Sequence, residues 1–359
     1  MPREFTYADA GVNRKVRAES KKALSLLKET YKFCPAGNVV QLPYGNIFPV
    51  GKSHFLDLTI EGVGTKVLLA QLAEKYDTIG IDGVAMAVND VIRSGAKPLA
   101  VADNIHAQFS EPKLIRELMK GISAGAVEAE CVVPSGEIGD VSEVIQGLRE
   151  GKGFDLVVAA IGSVSENRVI TGRDIKAGDA IIGLRSTGLH SNGISLARRI
   201  LFKQWNGKYE AHEVPDGLDI EIVYEVLKPT QIYAKPFLKL ADRVRLKAAV
   251  HITGEGYAKF RNLAKFSKNI GFVFSNFKPQ PIFELIQQTA SELGGMISDE
   301  EMFRTFNMGW GFAVIVDKAN VDDALDALGK SGIHAELIGE VKSLDGTVVY
   351  YKKRKIVLK

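Results

Sequence analysis

The stretch Glu61-Gly62-Val63-Gly64-Thr65-Lys66 puts a carboxylate, glycines, a hydroxyl and an amine directly after the strand-like run His54–Ile60. Glycines let backbone N–H groups approach phosphate oxygens with no Cβ in the way, and a lysine adds a mobile positive charge. A carboxylate beside them can hold a divalent cation that bridges the phosphates. The stretch reads as a nucleotide-phosphate loop, although it matches neither Gly-x-x-x-x-Gly-Lys-Ser/Thr nor Gly-x-Gly-x-x-Gly. A glycine turn feeding a helix is the other reading of the same residues.

A second group lies in Ile81–Arg93, mostly apolar at helical spacing yet carrying Asn89 and Asp90. An ionised Asp90 on a helix buried nearly all round must be paired, hydrogen-bonded or metal-bound, because an isolated buried carboxylate is costly. A cation on nucleotide phosphates satisfies it, and so does Arg93 at i,i+3. Thr187–Gly193 follows a strand and opens a helix, so His190, Ser191, Asn192 and Gly193 cluster at an anion-favouring helix start. His190 could donate, accept or shuttle a proton near neutrality. The alternative is capping by Ser191 or Asn192 with His190 exposed beside them. His251–Gly256 has the same form, and Glu301–Gly311 reads mainly as packing. The chain has no His-Glu-x-x-His, no serine elbow and no cysteine with an evident histidine partner, which disfavours zinc hydrolysis and covalent acyl transfer.

These groups must be positioned by an alternation of strand-like and helix-like segments, the pattern of an α/β or α+β chain. The periodicity predicts a helix over Arg14–Thr30, strands over Val39–Phe48 and His54–Ile60, and helices over Lys66–Glu74 and Asp82–Arg93. It continues with a strand over Pro98–Ala107, a helix after Pro112, and strands over Cys131–Ser135 and Phe154–Ser163. The second half carries strands at Ala180–Arg185, Phe312–Val316 and Thr347–Tyr350, with a helix from near Gly193. A chain of 359 residues with 46% apolar content has room for about two domains. Its 46 basic and 43 acidic residues leave +3, so no broad field attracts nucleic acid or an anionic membrane. Cys34 and Cys131 are too few for a disulfide framework. No signal peptide and no span of roughly 20 apolar residues is present, and the expectation is a cytoplasmic protein.

The pieces and their order resemble aminoimidazole ribonucleotide synthetase, the phosphoribosylformylglycinamidine cyclo-ligase family of purine biosynthesis, over nearly the whole chain. The resemblance runs from Tyr7-Ala8-Asp9-Ala10-Gly11-Val12 through Gly62–Lys66, Gly80-Ile81-Asp82, Val88-Asn89-Asp90 and Gly95–Leu99 to Asp103. Its most specific pieces are His190-Ser191-Asn192-Gly193, His251-Ile252-Thr253-Gly254 and Arg304–Gly309.

The resemblance implies a two-domain PurM-like α/β (α+β) fold. Residues 1–165 would bind ATP and dimerise, their copies pairing into a central β-barrel in a homodimer, while residues 166–359 would bind the ribonucleotide substrate. ATP with Mg²⁺ is implied near Asp9, Gly11, Gly62, Gly64, Thr65, Lys66, Asn89, Asp103 and Glu137, with Glu61, Asp90 and Glu137 on the metal. Substrate contacts are implied at His190, Ser191, Asn192, Gly193, His251 and Thr253. In the implied reaction ATP phosphorylates the formyl amide oxygen of formylglycinamidine ribonucleotide, the amidine nitrogen attacks, and phosphate departs as the ring closes. Lys66, Asp90 and His190 would be the catalytic groups. Four places depart from the family pattern: Glu61 replaces Asp, Ser135–Ser142 keeps Glu137 but lacks the adjacent threonine and the proline of the family's Gly-Gly-Glu-Thr-Ala-Glu-Met-Pro stretch, Leu189 replaces Pro, and Glu255 replaces Gly. The shared ATP loop leaves a thiamine-monophosphate kinase-like relative as an alternative, and the departures at Glu61 and Ser135–Ser142 allow a catalytically silent nucleotide-binding paralogue.

Overall fold

The computed structural model describes residues 3–267 and 269–358. Strand β1 (Arg3–Glu4) leads into helix α1 (Arg14–Ser20), which continues as a 3₁₀ helix, Lys21–Phe33, in place of a regular helix to Thr30. Strands β2 (Val40–Leu42) and β3 (Gly45–Pro49) form a hairpin where the sequence suggested one strand, because Pro43-Tyr44 turns the chain. Strand β4 (His54–Gly62) follows, then α2 (Lys66–Ala73), α3 (Asp77–Ile92), β5 (Lys97–Ala107), α4 (Pro112–Ala129), β6 (Val132–Asp140) and β7 (Phe154–Ser165).

These strands form one sheet in the order β2-β3-β4-β7-β5-β6. Along β7 buried and half-buried residues alternate one by one, the two-residue period of a strand covered on one face. Helices α3 and α4 cover that face. Helix α3 starts at Asp77, ahead of the expected Asp82, and runs through Gly80 and Gly83. Both glycines, breakers in isolation, are contact points here: a Cβ at Gly80 would meet the Leu118 carbonyl of α4, and one at Gly83 the Val158 side chain of β7. The opposite face of the sheet is open, with Leu58 59%, Ile60 68% and Val132 62% exposed. Among the described residues no barrel closes within one chain.

The second half carries β8 (Ala180–Arg185), α5 (Ile194–Leu201), α6 (Ile222–Leu227), α7 (Ala234–Arg243), β9 (Ala248–His251) and β10 (Gly271–Phe274). It continues with α8 (Pro281–Glu292), β11 (Gly295–Met296), α9 (Asp299–Thr305), β12 (Trp310–Val316), α10 (Val321–Lys330), β13 (Ala335–Lys342), β14 (Thr347–Tyr351) and β15 (Arg354–Leu358). Its sheet runs β15-β14-β10-β13-β8-β12-β9, and β12 is buried along its whole length. The hydrophobic core is continuous between the halves. They are joined where α3 meets residues 228–233: Thr230 N and Oγ1 donate to Asp82 Oδ1 at 2.8 and 2.6 Å, and Tyr233 N donates to Asn89 Oδ1 at 2.9 Å. Among the described residues no helix is long and apolar enough to cross a membrane.

Candidate active site

A cleft of about 410 Å³ opens between the halves. The end of β4 brings Glu61 to it, and the last turn of α3 brings Asp90 and Arg93. The second half contributes Asn192 at the start of α5, Thr253 and Glu255 after β9, and Lys259 on the 3₁₀ helix Gly256–Lys265. Asp90 is gripped from two sides. Arg93 Nη2 lies 2.6 Å from its Oδ2, and His251 Nδ1 lies 2.8 Å from its Oδ1. Burial alone would raise the Asp90 carboxyl, but Arg93, the His251 hydrogen bond and Lys259 together hold it far below the usual carboxylate range. Glu61 goes the other way, pushed up to about 7 by burial and by the adjacent Asp90 charge.

Lys259 donates from Nζ to the His251 carbonyl at 3.0 Å and to Thr253 Oγ1 at 2.8 Å. Burial and the nearby Arg93 lower it to about 8, against the pull of Asp90, Glu61 and Glu255. The Tyr44 ring sits between two cations, 5.3 Å from Arg93 and 5.3 Å from Lys259. Behind Arg93 a smaller cavity of about 70 Å³ is lined by Asp57, Ser94 and Tyr44. Burial pushes Asp57 up to about 6. Sequence reasoning missed Asp57, Tyr44 and Lys259, because only the fold brings hairpin, helix and second half together; Arg93 was visible solely as a neighbour of Asp90.

Lys66 does not reach the cleft. Its side chain is fully buried, Nζ donates to Asp82 Oδ1 at 3.0 Å and to the Lys228 carbonyl at 2.7 Å, and burial lowers its pKa. Its ammonium is committed to these oxygens and stands apart from the residues that line the cleft, where the expectation put it on phosphate. Asn89 is likewise buried and used at both ends of its amide, accepting from Tyr233 N and donating to the Gln231 carbonyl at 2.8 Å. It joins the halves, where the expectation placed it at ATP.

His190, expected as a catalytic and substrate-contacting group, lies inside the fold. It is 2% exposed, takes a left-handed backbone (φ 61°), and accepts on Nε2 from Thr187 N at 3.2 Å. Burial, His251 and Lys66 push its pKa well below the ordinary value, so the ring stays neutral. Ser191 Oγ pairs with Thr230 Oγ1 at 3.2 Å, and Gly193 caps α5 with φ 76°. Asn192 and Thr253 do face the cleft, while His251 acts on it through Asp90.

In the loop, Gly64 has φ 71°, and Thr65 Oγ1 lies 2.8 Å from Ser195 Oγ. At the N-terminus Asp9 accepts from Thr6 N at 2.9 Å, and Gly11 turns the chain with φ 89°. Glu61 and Asp103 both align with Val158 of β7, on the helix-covered face. Glu137 aligns with Asn104, one residue on, and so belongs to the open face. Within one chain Glu61, Asp90 and Glu137 are therefore not a ligand set, and among the described residues no three His, Cys, Asp or Glu side chains gather as one.

A family profile described as "AIR synthase related protein, N-terminal domain" matches residues 45–164, and its C-terminal counterpart matches residues 176–352. A phosphoribosylformylglycinamidine cyclo-ligase of Methanocaldococcus jannaschii is 36% identical, with 98% of this chain and 99% of the relative covered. The chain belongs to the phosphoribosylformylglycinamidine cyclo-ligase family. The cyclo-ligase of Caldicellulosiruptor saccharolyticus is also 36% identical, covering 96% of this chain and 99% of its own. Among solved structures, E. coli HypE aligns with a TM-score of 0.58 at 18% identity over 85% of both chains. T. maritima PurL complexed with ATP aligns at 0.55 and 15% identity, covering 89% of this chain and 45% of that one. At those identities the likeness is one of fold. Two departures from the cyclo-ligase pattern, Glu61 and Glu255, both line the cleft.

Proposed function

We propose that this chain closes the imidazole ring of aminoimidazole ribonucleotide from formylglycinamidine ribonucleotide, with ATP as phosphoryl donor. The observation that carries the reading is 36% identity to a cyclo-ligase over 98% of the chain. The cleft supports it, since two halves present cations and carboxylates to one space large enough for small reactants. An amide oxygen leaves poorly as hydroxide and readily as phosphate, so the protein's task is to hold two reactants and offset growing negative charge. In this reading residues 1–165 carry the nucleotide and residues 166–359 the ribonucleotide. Lys259, preorganised by the His251 carbonyl and Thr253, faces the transferring phosphoryl group. Asn192 and Thr253 orient the formyl amide.

Glu61 and Asp90, two acids crowded against each other, fit the one or two protein carboxylates with which Mg²⁺ is usually held beside nucleotide phosphates. A bound Mg²⁺ would supply charge neutralisation on those phosphates. His251 and Arg93 keep Asp90 ionised and aimed. The uncovered sheet face with Leu58 and Ile60 supports pairing of two copies into a homodimer. The free cysteines Cys34 and Cys131 suit a cytoplasmic setting.

The test is a coupled assay of purified protein with Mg·ATP and formylglycinamidine ribonucleotide, following ADP and aminoimidazole ribonucleotide. Thiamine monophosphate serves as control substrate. Product from the ribonucleotide and none from the control is expected; ATP binding with no turnover of the ribonucleotide would instead support a silent paralogue.

A further inference from the structure

The segment Arg14–Phe33 adds no buried residue to the core. Helix α1 and the 3₁₀ helix Lys21–Phe33 bury no side chain at all, so hydrophobic burial does not explain why the segment lies where it does. It is nonetheless fixed at two points on opposite halves of the molecule. At one end Arg14 donates to Glu301 Oε1 at 3.0 Å, to the Arg304 carbonyl at 3.1 Å and to Thr305 Oγ1 at 2.6 Å, all on α9. At the other, Asn46 Nδ2 of β3 donates to Tyr31 Oη at 3.1 Å. Between these anchors the segment forms one wall of the cleft.

Arg17 and Lys21, four residues apart and hence on one helix face, line that wall. Among the described residues neither makes an ion pair or a side-chain hydrogen bond, whereas neighbouring Lys22 pairs with Glu19 at 2.8 Å. The carboxylate most able to neutralise them, Asp90, is already taken by Arg93 and His251 across the cleft. Arg14 adds a buried Nε–H that has no partner. Arg17 and Lys21 thus carry unpaired positive charge over a cleft whose carboxylates are engaged elsewhere, Asp90 as above, Glu255 with Arg261 at 3.5 Å, and Glu61 crowded against Asp90.

We propose that the segment Arg14–Phe33 is an anion-binding arm, in which Arg17 and Lys21 grip a phosphate group bound in the cleft. The chemistry is that of a phosphate monoester or a polyphosphate, supplied by the ribonucleotide substrate or by the tail of ATP. This rests on the proposed reaction only for the identity of the ligand. Because the arm is held by polar anchors with its cations at the surface, its grip is electrostatic and weakens with salt.

The test uses the full chain and reads binding without turnover. Ribose 5-phosphate and ATP are titrated separately by calorimetry into wild type, the double variant Arg17→Ala/Lys21→Ala, and the control Lys28→Ala/Lys32→Ala, which removes equal charge from the same segment. Each lost charge-assisted contact is expected to weaken binding by about tenfold or more at low salt. The double variant should lose that affinity for one ligand, the control should not, and the difference should shrink in high salt. Loss for ribose 5-phosphate assigns the arm to the ribonucleotide, and loss for ATP assigns it to the nucleotide tail. Unchanged affinity for both ligands in a double variant with a wild-type denaturation midpoint overturns the proposal, as does equal loss in the control or a wild type that binds neither. A wild type that binds as expected yet makes no aminoimidazole ribonucleotide overturns the assigned reaction and leaves the arm standing.

Discussion

Replacing Lys66 separates a structural lysine from a phosphate-binding one. Lys66 Nζ lies 2.8 Å from Asp82 Oδ2 and 3.0 Å from Oδ1, with both side chains fully buried. Lys66→Ala leaves the Asp82 carboxylate in the interior with Thr230 N and Oγ1, at 2.8 and 2.6 Å, as its remaining donors. Removing one member of a buried pair costs about 3–5 kcal/mol. Because two good hydrogen bonds survive, the lower end applies here. A loss of about 3 kcal/mol is a factor of on the order of 150 in the folding equilibrium. Spread over the unfolding entropy of a chain with one continuous core, it corresponds to a fall of roughly 4 °C in Tm. Lys66→Ala combined with Asp82→Asn should cost less than the sum of the single changes, since the amide leaves no uncompensated charge. Guanidinium midpoints and thermal melts of both single variants and the double variant measure these values. Turnover of folded Lys66→Ala, assayed well below its transition, should stay within a fewfold of wild type. A variant with the wild-type midpoint and turnover down a hundredfold would refute the structural assignment and restore the phosphate role.

The folded chain keeps a proton on Glu61 up to about pH 7, while the unfolded chain releases it near the ordinary value of 4.5. Stability attributable to this group therefore falls as pH rises from about 4.5 to 7 and is level on either side. Glu61→Gln should match wild type near pH 4 and exceed it by about 3 kcal/mol near pH 8 in urea denaturation; equal midpoints at the higher pH would contradict this. Asn89→Ala strands the Gln231 carbonyl and the Tyr233 N–H between the halves, a cost of about 2–4 kcal/mol visible in the denaturation midpoint. Its failure to destabilise would mean that water replaces the amide. Ile60→Asp puts a charge on the uncovered sheet face and should convert a dimer to monomers in sedimentation, whereas an unchanged mass would locate the contact elsewhere.

What could be read along the chain was whatever depends on near neighbours. The period of two in Phe154–Ser165 and the helical spacing after Pro112 announce their elements, because burial of one face imposes that repeat locally. Helix α3 was recognisable but began five residues early, since Gly80 and Gly83 are breakers unless another element packs against them. Asp90, Asn192 and Thr253, picked out along the chain by residue type, line one cleft in the fold. Side-chain direction was beyond reach. Lys66 turns inward because Asp82 and the Lys228 carbonyl, 162 positions away, wait there. His190 is buried and neutral because its ring lies beneath the second half's packing. Glu61 holds its proton because α3 sets Asp90 beside it. Each outcome turns on desolvation and on charges brought close by folding, which act through distance in space and leave no mark in the order of residues.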